Sequence, residues 1–166
     1  MPRLMPSTEG LRAGDDLGAA GQMVLRDQHG NERRLAEFRG KSLVVYFYPA
    51  DDTPGCTVEG KEFRDLDEAF AALKCAIVGV SVDSVEAHRA FAAKHAFPFV
   101  LLSDPKGELA SAFGVLRGGF AARSTFVLNA DLRVARAFHE VTPRGHAQRV
   151  LDFVRSILES HRMLGG

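Results

Sequence analysis

Leu43-Val44-Val45-Tyr46-Phe47-Tyr48, followed by Pro49-Ala50-Asp51-Asp52-Thr53-Pro54-Gly55-Cys56, is the stretch on which the fold turns. The first part is continuously apolar or aromatic. It is too short for a helix and lacks the polar alternation of a strand with one wet face, so it predicts a strand buried on both sides. Two prolines, a glycine and two aspartates in Pro49 to Gly55 then predict a tight loop. A helix is expected from near Cys56 to about Leu73, because Phe63, Leu66, Phe70 and Leu73 recur at spacings of three, four and three and form one apolar stripe.

The same alternation continues outward. Ala76–Val82 reads as another buried strand. Asp83 stands three residues before Glu86, a capping-box spacing that opens a helix running to about Lys94. Phe99–Leu102 reads as a strand and Gly107–Phe113 as a short helix. Ser124–Leu128 and Leu132–Phe138 flank Asn129-Ala130-Asp131 and read as a hairpin. The last helix, from about Gly145 to His161, is expected to bury Val150, Phe153, Val154 and Ile157. Upstream, Gln22–Arg26 reads as a short strand and Asp27–Asn31 as a turn. Residues 1–10 read as a mobile tail and residues 11–166 as one domain. Counted from Leu43, the order is β-α-β-α-β-α-β-β-α. Helix-linked strands pair in parallel and the late hairpin adds an antiparallel edge. The expected fold class is therefore α/β: a thioredoxin-like fold with a central mixed sheet and helices on both faces.

Composition narrows the function. The 166 residues carry 21 Lys+Arg against 21 Asp+Glu, so no global field attracts nucleic acid or an anionic membrane. The longest apolar runs are far below the roughly 20 residues of a spanning helix. The opening MPRLMPSTEGLRAGDD has no apolar targeting region. The expected location is the cytoplasm, where thiols stay reduced. Two cysteines, Cys56 and Cys75, are too few for a disulfide scaffold.

Cys56 is the residue with a chemical context. It follows a buried strand and a Pro/Gly loop and sits at a helix start, where unpaired N–H groups and the helix dipole favour a thiolate. Sites in open α/β sheets form beyond the carboxyl ends of strands, which is where this loop falls. Thr53 lies three residues earlier, so its hydroxyl can fold back onto the sulfur, or accept from and orient a hydroperoxide. Pro54 at the helix start lacks an N–H that would go unpaired anyway. The bland alternative for Cys56 is a small buried hydrophobe.

Tyr46-Phe47-Tyr48-Pro49-x-Asp51-Asp52-Thr53-Pro54-Gly55-Cys56-Thr57-x-Glu59 resembles the active-site segment of peroxiredoxins, specifically the bacterioferritin-comigratory-protein or peroxiredoxin Q subfamily. Gly40-Lys41, Gly79–Ser84, Leu101–Gly107 and Arg123–Leu128 are further points of similarity. The resemblance implies a thiol-dependent peroxidase, an antioxidant oxidoreductase acting on hydrogen peroxide and organic hydroperoxides without metal or organic cofactor. Cys56 would be the peroxidatic cysteine and pass through a sulfenic acid. Thr53 and Arg123 would complete the catalytic set, with Pro49, Gly55 and Glu59 supporting. Glu59 has two readings of equal weight: an acid complementing the helix N-terminus, or a partner that orients Arg123.

The chain departs from that subfamily at the second thiol. Position 61, five residues after Cys56, is Lys61, and Ser84–His95 contains no cysteine. Cys75 is expected at the far end of the sheet, beyond the roughly 7 Å reach of a disulfide. The expectation is a one-cysteine peroxidase without a resolving cysteine, reduced by thioredoxin, glutaredoxin with glutathione, or another thiol. Its assembly is expected to be a monomer or a dimer. The rival from another class is a non-catalytic redox-sensing adaptor using the same cysteine. A disulfide reductase is disfavoured because Cys56 lacks a Cys-x-x-Cys partner, and a Cys-x5-Arg phosphatase because residue 62 is Glu62. His88 and His95 are expected at the surface with no third ligand, so no metal site is predicted. Asp51-Asp52 is expected to be solvated.

Overall fold

The computed structural model describes residues 10–165, with side chains described up to Ser160. The predicted tail falls outside the described residues except for Gly10, which is buried and packed so closely that a Cβ there would clash with the Phe113 carbonyl oxygen.

Seven strands form the main sheet in the order β2-β1-β5-β4-β3-β8-β9. They are β1 (Leu25–Asp27), β2 (Glu32–Arg33), β3 (Ser42–Phe47), β4 (Cys75–Ser81), β5 (Val100–Ser103), β8 (Ser124–Leu128) and β9 (Val134–Phe138). β3, β4 and β5 run parallel at the centre. β1 and β8 flank them antiparallel.

All six residues of β3 are buried, and period-two geometry divides them between two cores. Leu43, Val45 and Phe47 face a layer with Val78, Val80, Leu102, Phe126 and Leu128, covered by Leu17, Leu35, Leu109 and Phe113. Those covering residues belong to the N-terminal segment, a 3-10 turn at Leu35–Phe38, and α4 (Glu108–Ala112) with its C-cap. Val44 and Tyr46 face the other core with Ile77, Leu101 and Val127. That core lies under α1 (Pro54–Asp65), α2 (Asp67–Ala72), α3 (Val85–His95) and α5 (His146–Gly165). The Tyr46 ring stacks on Phe63 with centroids 4.6 Å apart, which seats α1 against β3.

Several expectations are corrected. The helix predicted from Cys56 to Leu73 is two helices, because Leu66 leaves helical geometry (φ −100°, ψ 2°) and its N–H is shared between the Glu62 and Phe63 carbonyls. The apolar stripe continues through the break, so periodicity alone does not reveal it. α1 also begins two residues earlier, with Pro54 in its first turn. Ser84, not Asp83, caps α3: its side chain accepts the Ala87 N–H at 3.1 Å. Asp83 is drawn instead to the Ser81 hydroxyl and the Asp51 N–H. The first strand is Leu25–Asp27 rather than Gln22–Arg26, since Gly18–Gln22 forms a 3-10 turn. Strand β2 and a small separate hairpin, β6 (Leu116–Arg117) with β7 (Phe120–Ala121), lack the alternation that would reveal them. On α5, Val150 and Val154 are fully buried, while Phe153 and Ile157 are only partly so. Among the described residues, no helix is long and apolar enough to cross a membrane.

Candidate active site

Chain direction brings the site together. β3 ends at Phe47, whose antiparallel partner is Ser124 at the start of β8. The loop after β3 and Arg123, the residue before β8, therefore lie at the same end of the sheet. Pro49 stands half-buried at the strand exit. Thr53 is the N-cap of α1, and its carbonyl accepts the Thr57 N–H at 2.9 Å. Cys56 follows in the first helical turn and is only 1% exposed.

Arg123 joins the two sides. Its Nη2 donates to Cys56 Sγ at 3.4 Å and its Nη1 to Glu59 Oε1 at 2.8 Å. Glu59 lies three residues after Cys56 and so shares its helix face. Of the two readings of Glu59, the structure places its carboxylate on the arginine. One fork of donors meets both groups, a geometry that a lysine ammonium does not reproduce. Gly55 permits this approach, for a Cβ there would stand 2.9 Å from Arg123 Nη2 and 3.3 Å from Pro143 Cγ. Sequence reading named Gly55 from the motif alone. The steric reason appears only when β8 is in place.

Thr53 differs from one of its expectations. Its hydroxyl donates to the Ala50 carbonyl at 2.9 Å rather than to the sulfur, leaving its lone pairs free to accept. Cys75 pairs in register with Ser42 at the opposite end of the parallel strands. Five residue steps to the Phe47–Val80 pair span about 16 Å at about 3.3 Å each. Both thiols are free and buried. Burial pushes the Cys75 thiol up to about 12, so it stays protonated and unreactive at neutral pH.

Two further expectations fail. Asp51 is not solvated: its side chain is 5% exposed and meets His88 Nδ1 at 2.7 Å. His88 is not a surface residue but fully buried. The groups clustered with it are Asp51 and Asp83, not His95. The donor atoms of Asp51, Asp83 and His88 lie within 4.8 Å of one another. A metal ion there would have to break the hydrogen bonds that these groups make with each other and with Tyr48, Ser81 and Leu102. Sequence spacing missed the cluster because its members come from the β3–α1 loop, the β4–α3 connection and a helix. Asp52 does remain exposed, facing Lys94 at 2.9 Å.

Burial raises the Glu59 carboxyl to about 7, against the lowering pull of Arg123. Burial works against the Arg123 charge, but Glu59 and Cys56 outweigh it and hold the guanidinium above its ordinary value. Glu59 Oε2 and the Tyr46 hydroxyl are buried without a hydrogen-bond partner among the described residues. In the unfolded chain the carboxyl returns to 4.5. Below that pH both states hold the proton. Between 4.5 and 7 the unfolded chain ionises first, so the fold loses stability as pH rises through the folded value. Glu59→Gln lacks this penalty. Urea unfolding of both proteins at pH 5 and pH 8 is expected to show the balance moving toward the variant by about 2–3 kcal/mol at the higher pH. A difference independent of pH would contradict the buried carboxyl.

The AhpC/TSA family pattern matches residues 18–137. Peroxiredoxin Bcp of Bacillus subtilis (strain 168) is 39% identical over 148 residues, covering 84% of this chain and 94% of the relative. The solved structure of a cysteine-to-serine mutant of Xylella fastidiosa PrxQ superposes with a TM-score of 0.86 at 34% identity, over 89% of this chain and 98% of the other. That of Xanthomonas campestris bacterioferritin comigratory protein, studied for alkyl peroxide reduction, gives 0.82 at 36% identity, over 88% and 96%. The family pattern across residues 18–137 and a relative 39% identical and covered over 94% of its length show that the chain belongs to the AhpC/TSA family, among the peroxiredoxins, and is a thiol-dependent peroxidase.

Proposed function

We propose that Cys56 is the peroxidatic cysteine and that the enzyme follows a one-cysteine cycle. The observation that carries this is the 3.4 Å contact from Arg123 Nη2 to Cys56 Sγ at the start of α1. The Cys56 thiolate attacks one peroxide oxygen as the O–O bond breaks. Sulfur is oxidised to the sulfenic acid, and the other oxygen takes the proton given up by the thiol and leaves as water or an alcohol. Charge moves from sulfur to oxygen in this step, and the Arg123 fork is already aimed at it. Thr53 accepts the hydrogen bond of the incoming hydroperoxide through its free lone pairs. Glu59 holds the guanidinium in place.

Two external thiols then return the enzyme. The first condenses with the sulfenic acid and releases water; the second displaces Cys56 from the mixed disulfide. Thioredoxin, glutaredoxin with glutathione, or a small thiol in a reducing compartment such as the cytoplasm serves as donor. The position of Cys75 at the opposite sheet end supports an external route. Hydrogen peroxide and organic hydroperoxides are both substrates in this reading. The chain acts as a monomer or dimer.

Treating the reduced protein with one equivalent of hydrogen peroxide and a sulfenate trap, then mapping peptides by mass, is expected to give an adduct on Cys56 with Cys75 free. A Cys56–Cys75 disulfide within one chain would overturn the one-cysteine cycle. An unmodified Cys56 would overturn its assignment.

A further inference from the structure

A second set of buried groups grips the loop between β3 and α1 without touching the sulfur. His88, on α3, is fully buried, and each ring nitrogen faces an oxygen. Nδ1 lies 2.7 Å from Asp51 Oδ2 and Nε2 lies 2.9 Å from the Leu102 carbonyl. A carbonyl oxygen only accepts, so Nε2 carries a proton. Asp51 Oδ1 accepts a further bond from the Tyr48 hydroxyl at 2.7 Å. The short Nδ1–Oδ2 bridge must also hold a proton, since two facing lone pairs would repel. The pair is therefore neutral overall whichever atom holds that proton. On its other side, the Asp51 N–H donates to Asp83 Oδ2 at 2.8 Å, and the Ser103 hydroxyl donates to the Asp83 carbonyl at 2.6 Å.

Asp51 thus ties the loop to α3 and, through His88 and Asp83, to β5 and β4, while Arg123 reaches the sulfur from the residue before β8. Thr53 is two residues after Asp51 and Cys56 five. Among the described residues, the other polar contacts from this loop to α3 both end on the exposed Asp52 carboxylate, Lys94 at 2.9 Å and His95 Nε2 at 4.0 Å, and such exposed pairs hold geometry weakly.

We propose that Asp51 and His88 are positioning residues of the peroxidase reaction, their buried bridge holding the loop so that Thr53 and Cys56 face the incoming peroxide together. This rests on the reading of Cys56 as the attacking residue.

The test separates the two bonds of His88. Asparagine places its amide nitrogen where Nδ1 stood and keeps the donor to Asp51. Glutamine places it where Nε2 stood and keeps the donor to the Leu102 carbonyl. Each variant loses one buried hydrogen bond, but only His88→Gln frees the loop from α3. The second-order rate of Cys56 oxidation by hydrogen peroxide is expected to fall about 10–100-fold in His88→Gln and to stay within about threefold of the parent in His88→Asn. Alkylation of Cys56 by iodoacetamide, which needs no aligned peroxide, is expected to change less than about threefold in either.

Asp51→Ala and Asp51→Asn ask the same question from the loop, should the helix variants not fold. Alanine is expected to behave as His88→Gln and asparagine, which can still bridge to the ring, as His88→Asn. Equal losses in both members of a pair, an unchanged oxidation rate in a folded His88→Gln or Asp51→Ala, or a parallel fall in alkylation would overturn the proposal. A parent protein whose Cys56 ignores peroxide would instead overturn the reading on which it rests.

Discussion

Cys56→Ser is expected to abolish peroxide turnover, with the second-order rate falling by at least about a thousandfold, to the level of free thiols in the assay. A serine hydroxyl at this site is a far weaker nucleophile and has no stable oxidised state like the sulfenic acid. The substitution is nearly isosteric at a position only 1% exposed, so the fold is retained. The decisive comparison is Cys75→Ser. Its thiol, held protonated by burial at the opposite end of β4, takes no part in the proposed cycle. Its loss is expected to change turnover by less than about threefold, because the substitution removes no group in contact with the reacting atoms. Peroxide consumption followed with dithiothreitol as the reducing thiol gives both rates. Persistent turnover in a folded Cys56→Ser variant, or comparable losses in the two variants, would mean that the chemistry resides elsewhere.

Arg123→Met is the second large effect. Methionine retains the length and much of the apolar contact of the side chain but removes both donors, to Cys56 Sγ at 3.4 Å and to Glu59 Oε1 at 2.8 Å. Loss of one preorganised donor at a reacting centre costs about 100–1,000-fold in rate, and that is the expected fall in the rate of Cys56 oxidation. The variant also leaves Glu59 fully buried without its partner. Its unfolding free energy is therefore expected to drop by about 3 kcal/mol at pH 8 and by less at pH 5, where the carboxyl is protonated. Arg123→Lys separates charge from geometry. It restores a cation but not the fork, so it is expected to recover only part of the rate. Stopped-flow oxidation measured beside urea unfolding distinguishes the two consequences. Full activity in Arg123→Lys would show that charge alone suffices.

The central strands, the loop and the helix carrying Cys56 were legible because each rests on local pattern. Leu43–Tyr48 is apolar on both faces because it is covered on both, and the prolines, glycine and aspartates after it admit little but a turn. The motif from Pro49 to Glu59 and the Arg123–Leu128 segment also carried the family resemblance, which the AhpC/TSA match bears out. Elements that failed were short or shaped by distant partners. The break at Leu66 preserves the phase of the apolar stripe, and β2, β6 and β7 are too brief for alternation to register.

The alternating α/β order, the peroxiredoxin resemblance and the chemical context of Cys56 can be read from the chain alone, because hydrophobic period and turn chemistry are local properties. Which side chains meet depends on how the strands and helices pack. The antiparallel register of β8 on β3 brings Arg123 over Cys56 and sets its guanidinium where a Cβ at position 55 would crowd it. The packing of α3 turns Asp51 from a solvated loop acid into the partner of a buried histidine. The parallel register of β4 on β3 sends Cys75 to the other end of the sheet. Burial, and the charge states that follow from it, arise between residues far apart in the chain, and no window of sequence contains both members of such a contact.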